Sequence, residues 1–293
     1  MGYEEDCDVL WERSTQQRSK DAIGTVELLS AAEAAVVAAR EAPLPRAQLI
    51  ALLAVAASYA AHDFDWVLPK VQQRGDSWIT TIAKQLGIGT NSEPVIDAAI
   101  FREMCTARVQ PYFARPAAPK QAFTLAGETR LPDTIAARQW MEYPQCIAAF
   151  VWAFQHLADS DIGESISSIL PVIITLVDDY DCQAQLWGLR LAQSLVVRGD
   201  SVFLRKSGIC KVISDSAAKC LTYRSDANEF ASTLMEAAFR TAIAACDVLY
   251  PSSADPRYTS QLWKLVSQVI TNDVYIADNV VAATVLCAQV TPL

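Results

Sequence analysis

Residues Ser168–Val197 read SILPVIITLVDDYDCQAQLWGLRLAQSLVV. Leading into this stretch and through it, Ile162, Ile166, Ile169, Ile173 and Leu176 step by four, three, four and three residues, the spacing that lines side chains along one face of an α-helix. Leu170 and Pro171 lie within that helix, and Asp178, Asp179, Tyr180 and Asp181 supply a turn. Cys182–Val197 then forms a second helix, apolar on several sides through Leu186, Trp187, Leu189, Leu191, Leu195 and Val196, as expected of an inner helix covered by neighbours. Gly188 stands on it where a small residue lets two helices approach closely.

The same pattern extends outward. Glycine is scarce at 10 residues, alanine is abundant and strand alternation is nearly absent, so an all-α chain is expected. Asp21 begins a long helix ended by Pro43 and Pro45, and Arg46–His62 gives a second, nearly all apolar. Shorter helices are expected over Phe64–Gln73 and over Ser77–Leu86, the latter closed by Gly87 and Gly89, and then from Ser92 to about Val109. Pro111, Pro116, Pro119, Pro132 and Pro144 then interrupt the chain, removing backbone donors and disfavouring helix in the residues before them. The expected division is an N-terminal helical region over 1–109, a proline-rich linker or strap over 110–142, and helical repeats over 143–293. In the last region Asp161 with Glu164, and Asp226 with Glu229, have capping-box spacing, and Asp255 before Pro256 makes another helix start. Ile276, Val280, Ala283 and Cys287 repeat the helical face near the end, in an apolar stretch expected to be covered. Paired helices with short acidic turns suggest an α-solenoid of antiparallel helix pairs.

Composition narrows the function. The 293 residues include 24 Lys and Arg against 33 Asp and Glu, a net charge of −9, so neither nucleic acid nor an anionic membrane surface is an expected partner. The longest charge-free stretches, Ala47–His62 and Tyr143–Ala158, are too short to cross a bilayer, which takes about 20 apolar residues. The acidic start MGYEEDCDVLWER lacks the basic and apolar regions of an export signal, so a soluble intracellular protein is expected, cytoplasmic with the nucleus as a second address. The eight cysteines show no CxxC or CxH pair and read as buried thiols rather than disulfides or metal ligands.

No catalytic, cofactor or metal site is expected. Asp178, Asp179 and Asp181 invite comparison with the DDxxD motif by which all-helical isoprenoid-diphosphate enzymes hold magnesium, but position 182 is Cys. The only candidate for the second metal motif starts at Asn272 and Asp273 and has Ile276 and Val280 at its other two places. A turn whose carboxylates cap the next helix is the favoured reading. His62 and His156 are the only histidines: His62 with Asp63 has no earlier histidine to complete a phosphohydrolase site, and His156 is expected to satisfy a local hydrogen bond. No GxSxG elbow, Walker loop or GxGxxG occurs. Trp140, Tyr143, Phe150, Trp152, Phe154 and Trp187 read as core ahead of interface anchors, and Arg102, Arg108, Arg115 and Arg130 bracket the linker.

Ser168–Val197 resembles a HEAT repeat, with proline in the first helix and aspartate in the turn, although Gln185 stands where the repeat carries a basic residue. Leu170, Pro171, Thr175, Leu176, Asp178, Asp179, Gly188 and Leu191 more narrowly resemble the core of the Tel-two-interacting protein two (Tti-two) family, and Ser207–Leu221 resembles its next helix. That resemblance implies a non-catalytic HEAT-like α-solenoid adaptor without cofactor, joining Tel-two and Tti-one in the triple-T complex. It implies assistance to the ninety-kilodalton heat-shock chaperone in maturing phosphatidylinositol-kinase-related kinases. Leu170, Pro171, Leu176, Asp178, Asp179 and Gly188 are the motif positions and candidate partner-binding residues. The alternatives are a magnesium-dependent isoprenoid-diphosphate enzyme and a different HEAT-type scaffold.

Overall fold

The computed structural model describes residues 10, 22–61, 69–89, 94–113, 139–221 and 231–271. Regular structure among them is helical, with isolated backbone bridges at Gly89–Val95 and Ile96–Leu157. The chain divides into two compact units, Met1–Asp161 and Ile162–Leu293.

The first unit contains α1 (Ala22–Glu41), α2 (Arg46–Ala60), α3 (Pro69–Leu86), α4 (Ala98–Met104) and α5 (Pro144–Gln155). Its centre is α2, whose sequence RAQLIALLAVAASYA has no polar stripe. Such a helix can be stable only when covered all round, and it is buried continuously from Gln48 to Ala60, chiefly under α3 and α5. Ser58 fits there because its hydroxyl donates to the Val55 carbonyl at 2.8 Å.

Two expected boundaries differ. The separate helices on either side of Gly75 are one helix, α3. Glycine is a weak helix former, but a Cβ at Gly75 would lie 3.0 Å from both the Ala56 oxygen and the Ala60 nitrogen, so this residue marks where α3 crosses α2 rather than a break. The helix expected from Ser92 begins instead at Ala98, because Asp97 caps it by accepting from the Ile100 N–H at 2.8 Å. Asp161 accepts from the Ala98 N–H at 2.9 Å, so its carboxylate serves this helix rather than a capping box with Glu164. The helix also continues beyond Val109, through a π-turn at Cys105–Val109 to Phe113. Of the expected linker over 110–142, Gln110–Phe113 and Gln139–Glu142 are helical, and 114–138 lies outside the described residues.

The second unit contains α6 (Ile162–Val177), α7 (Cys182–Arg198), α8 (Ser201–Lys206), α9 (Ile209–Cys220), α10 (Ala231–Leu249) and α11 (Pro256–Thr271). Helices α6 and α7 pack together, as do α9 and α10, and α7 also packs on α10, which makes it an inner helix. The buried Thr241 of α10 reaches across to the Leu189 carbonyl of α7 at 3.1 Å. Acidic caps divide the elements: Asp200 accepts from the Val202 and Phe203 N–H groups, and Asp255 from the N–H of Arg257. The expected capping pair Asp226 and Glu229, and the terminal face Ile276, Val280, Ala283 and Cys287, lie outside the described residues.

One helical run, Asp159–Val177, is long and apolar enough to cross a membrane by length and composition, and 44% of it is buried within the protein. Its stripe of Ile162, Ile169, Val172, Ile173 and Leu176 is covered, while Gly163, Glu164, Ser167 and Pro171 are exposed. That division is the pattern of an amphipathic helix packed on a core.

Candidate interaction site at the double-aspartate turn

The motif residues separate into packing and surface. Leu176 is fully buried and Gly188 faces it: a Cβ on Gly188 would lie 2.6 Å from the Val177 nitrogen and 2.9 Å from the Leu176 Cβ. No larger residue fits that crossing without moving backbone. Leu170 is half-buried and Pro171 is exposed. Proline inside a helix leaves a carbonyl one turn earlier without its usual donor, which is tolerated on the outer face where water reaches it. The Thr175 hydroxyl donates to the Pro171 carbonyl at 2.7 Å.

The three carboxylates of the turn have three different tasks. Asp181 is the N-cap of α7, accepting from the Ala184 N–H at 2.9 Å. Asp179, only 8% exposed, accepts from the Asp181 N–H at 2.8 Å and so fixes the turn itself. Its carbonyl accepts from the Gln185 amide at 2.6 Å, so the residue that replaces the basic residue of a HEAT repeat still ties α7 to the turn. Asp178 points toward α9, where its carboxylate lies 3.3 Å from the Ser216 hydroxyl and 3.4 Å from the Lys219 ammonium. Beneath it the Cys220 thiol approaches the Val177 carbonyl at 3.8 Å. The turn is thus anchored to three helices, with Tyr180 69% exposed at its tip. The sequence alone assigns these carboxylates to capping the next helix, with Asp178 and Asp179 also candidate partner contacts, and does not separate their tasks. Ser216 and Lys219 escape that reading because they lie 38 and 41 residues from Asp178, beyond any local periodicity.

Asp181→Ala is expected to cost about 1 kcal/mol, the usual value of a lost N-cap. Asp178→Ala should cost about 0.5 kcal/mol or less, because its ion pair with Lys219 is exposed and exposed pairs contribute little. Urea titration of both variants checks the order, and an Asp178 variant that proves the weaker would refute the assignment.

These bonds define what the site can do chemically. The carboxylates face their own turn, the start of α7 and α9, whereas a magnesium-diphosphate site needs oxygens converging on one ion. Among the described residues no group of three or more His, Cys, Asp and Glu side chains is placed to hold a metal. Asn272 and Asp273 lie outside the described residues, as does His62. His156 stacks on Trp152 at 4.4 Å between ring centroids, and its Nδ1 is 2.8 Å from the Trp152 carbonyl.

The aromatic candidates belong to cores. Trp140, Phe150, Trp152 and Phe154 are buried in the first unit, where Phe150 lies 5.9 Å from Phe101 and 6.3 Å from Phe154 between centroids. Trp187 is buried in the second unit, and Tyr143 is half-buried, 4.9 Å from Tyr112. Arg102 is exposed and Arg108 half-buried, while Arg115 and Arg130 lie outside the described residues.

Cys105, Cys146, Cys182, Cys210, Cys220 and Cys246 are buried free thiols, and Cys7 and Cys287 lie outside the described residues. Burial pushes Cys210 and Cys246 up to about 11 and Cys220 to about 12, with the nearby Asp178 adding to the effect at Cys220. A nucleophilic cysteine needs the opposite displacement. Since an unfolded thiol ionises near pH ~8.5, the folded chain binds more protons than the unfolded one above that value. Stability carried by these thiols is therefore full below about pH 8 and declines as pH rises toward 11. A melting temperature at pH 10 equal to that at pH 7.5 would contradict this. Alkylation by iodoacetamide at pH 8 should correspondingly be slow at the six buried positions until urea unfolds the chain.

Comparison with known proteins adds one match: the model of the Tti2 family matches residues 52–293. No curated protein and no solved structure matches the chain. The matched span covers α3 to α11 whole and α2 from Leu52 onward, with the double-aspartate turn inside it.

Proposed function

The chain belongs to the Tti2 family, and from that premise we propose that it is a non-catalytic adaptor subunit of the triple-T complex. In this reading it assists the chaperone-dependent maturation and stability of phosphatidylinositol-kinase-related kinases, in the cytoplasm and the nucleus, with Tel-two and Tti-one as its direct partners. The carrying observation is the family match across residues 52–293.

The structure supports this reading in two ways. The aspartates that most resemble a metal motif are taken up by a turn, a cap and a contact with α9, so the motif positions specify a helix-pair geometry. Helices α6 with α7 and α9 with α10 pack as sequential neighbours, with α7 meeting α10, the contact pattern from which a HEAT-like α-solenoid is built. Solenoids work by presenting extended helix faces to partners. Of the motif positions, Pro171 and Asp178 are exposed, and these are the ones a partner can reach.

Affinity purification of the tagged chain from its native cells, followed by mass spectrometry, tests the proposal. Tel-two, Tti-one and a large kinase of that class are expected together. Recovery without either partner, at wild-type abundance, would refute it.

A further inference from the structure

Four of the nine large apolar side chains exposed among the described residues, Val197, Val202, Phe203 and Val212, fall between the end of α7 and the first turns of α9. Single exposed valines are ordinary, whereas several on neighbouring short helices make a candidate contact surface. The same stretch carries Arg205, Lys206 and Lys211. None of these three makes an ion pair with a described residue, whereas Arg46, Arg74, Lys219, Arg240 and Arg257 each do.

Helical spacing puts the two kinds of side chain together. On α8, Val202 and Phe203 lie four and three residues before Lys206, so all three share the exposed side opposite the buried Leu204. On α9, Lys211, Val212, Asp215 and Lys219 share the exposed side, while Ile209, Cys210, Ile213 and Ala217 are buried. The two helices pack on each other and are joined by only Ser207 and Gly208, the latter at φ +77° in the left-handed region that glycine adopts without strain.

We propose that this outer face of α8 and α9 docks an acidic, amphipathic segment of a partner protein. Carboxylates of the segment meet Arg205, Lys206 and Lys211, and its apolar side chains cover Val202, Phe203 and Val212. Charge complementarity selects this occupant: the chain as a whole carries −9, whereas this face brings together three cations that form no ion pair with a described residue, and so attracts the opposite sign. Nucleic acid is the poorer fit, because three cations beside Asp215 release few counterions from a phosphate backbone. The inference rests on the adaptor reading above.

The test reconstitutes the full chain with Tel-two and Tti-one and follows assembly by light scattering and hydrogen exchange. Wild-type chain should assemble and gain protection over 201–212. The double variant Lys206→Glu/Lys211→Glu, whose sites are exposed, should keep the wild-type melting temperature and assemble about tenfold more weakly in low salt, the gap narrowing at high salt, where charge interactions are screened. Wild-type assembly with no protection over 201–212 and an unaffected double variant would overturn this surface and leave the adaptor reading standing. Protection of 201–212 in the isolated chain at rising concentration would assign the face to a second copy and equally overturn the proposal. Failure of wild-type chain to assemble would remove the adaptor reading, and this surface with it.

Discussion

Gly188→Ala is expected to destabilise the second unit by about 2–3 kcal/mol, near the top of the range for overpacking a helix crossing. The added Cβ would stand 2.6 Å from the backbone nitrogen of Val177 and 2.7 Å from its Cγ2. A side chain can rotate away, but the nitrogen belongs to the last turn of α6, so the whole α6–α7 pair has to separate. Alanine's better helix propensity returns only about 1 kcal/mol of that cost. Gly163→Ala is the matched control: it lies on the same helix pair with nothing within 4 Å of its Cβ position and should be neutral or slightly stabilising. Urea denaturation followed by circular dichroism separates the two. A Gly188→Ala variant within about 0.5 kcal/mol of wild type, the range of an ordinary surface substitution, would refute the close approach.

Phe150→Ala should cost the first unit about 3–5 kcal/mol, the range for truncating a fully buried aromatic side chain. Its side chain is fully buried between Phe101 and Phe154, and it rides on α5, which packs against the buried α2. Removing the ring leaves a cavity among large side chains that cannot collapse without shifting the helix. Hydrogen exchange should accelerate over Arg46–Ala60 and Pro144–Gln155 together, because each helix protects the other. Val197→Ala, at a residue 70% exposed, should stay within about 0.5 kcal/mol of wild type. Equal effects at Phe150 and Val197 would mean that α5 does not close this core.

The helices were legible because their cause is local. The four-three stepping of Ile162 to Leu176 specifies an amphipathic helix wherever it occurs, and the absence of any polar stripe in α2 states that this helix must be enclosed. Asp255 before Pro256 opens α11 because capping needs only residues two or three positions apart. The resemblance carried by Leu170 to Leu191 likewise needed no coordinates, and the family match over 52–293 agrees with it.

Gly75, Asp161 and Asp178 mark where local reasoning stopped. Glycine inside a helical pattern reads as a break, and only the approach of Ala56 and Ala60 shows Gly75 to be a crossing point. Asp161 has a partner in capping position three residues ahead, but its carboxylate turns to Ala98, 63 residues earlier. Asp178 and Asp179 are adjacent in sequence, yet one fixes its own turn and the other reaches α9. By itself, then, the sequence determined helix content, most of the turns and the family, because periodicity, capping and motif act over a few residues. Which carboxylate caps, which glycine is a contact and which apolar residues are left on the surface were decided only by the tertiary structure, since each depends on what a distant helix places beside it.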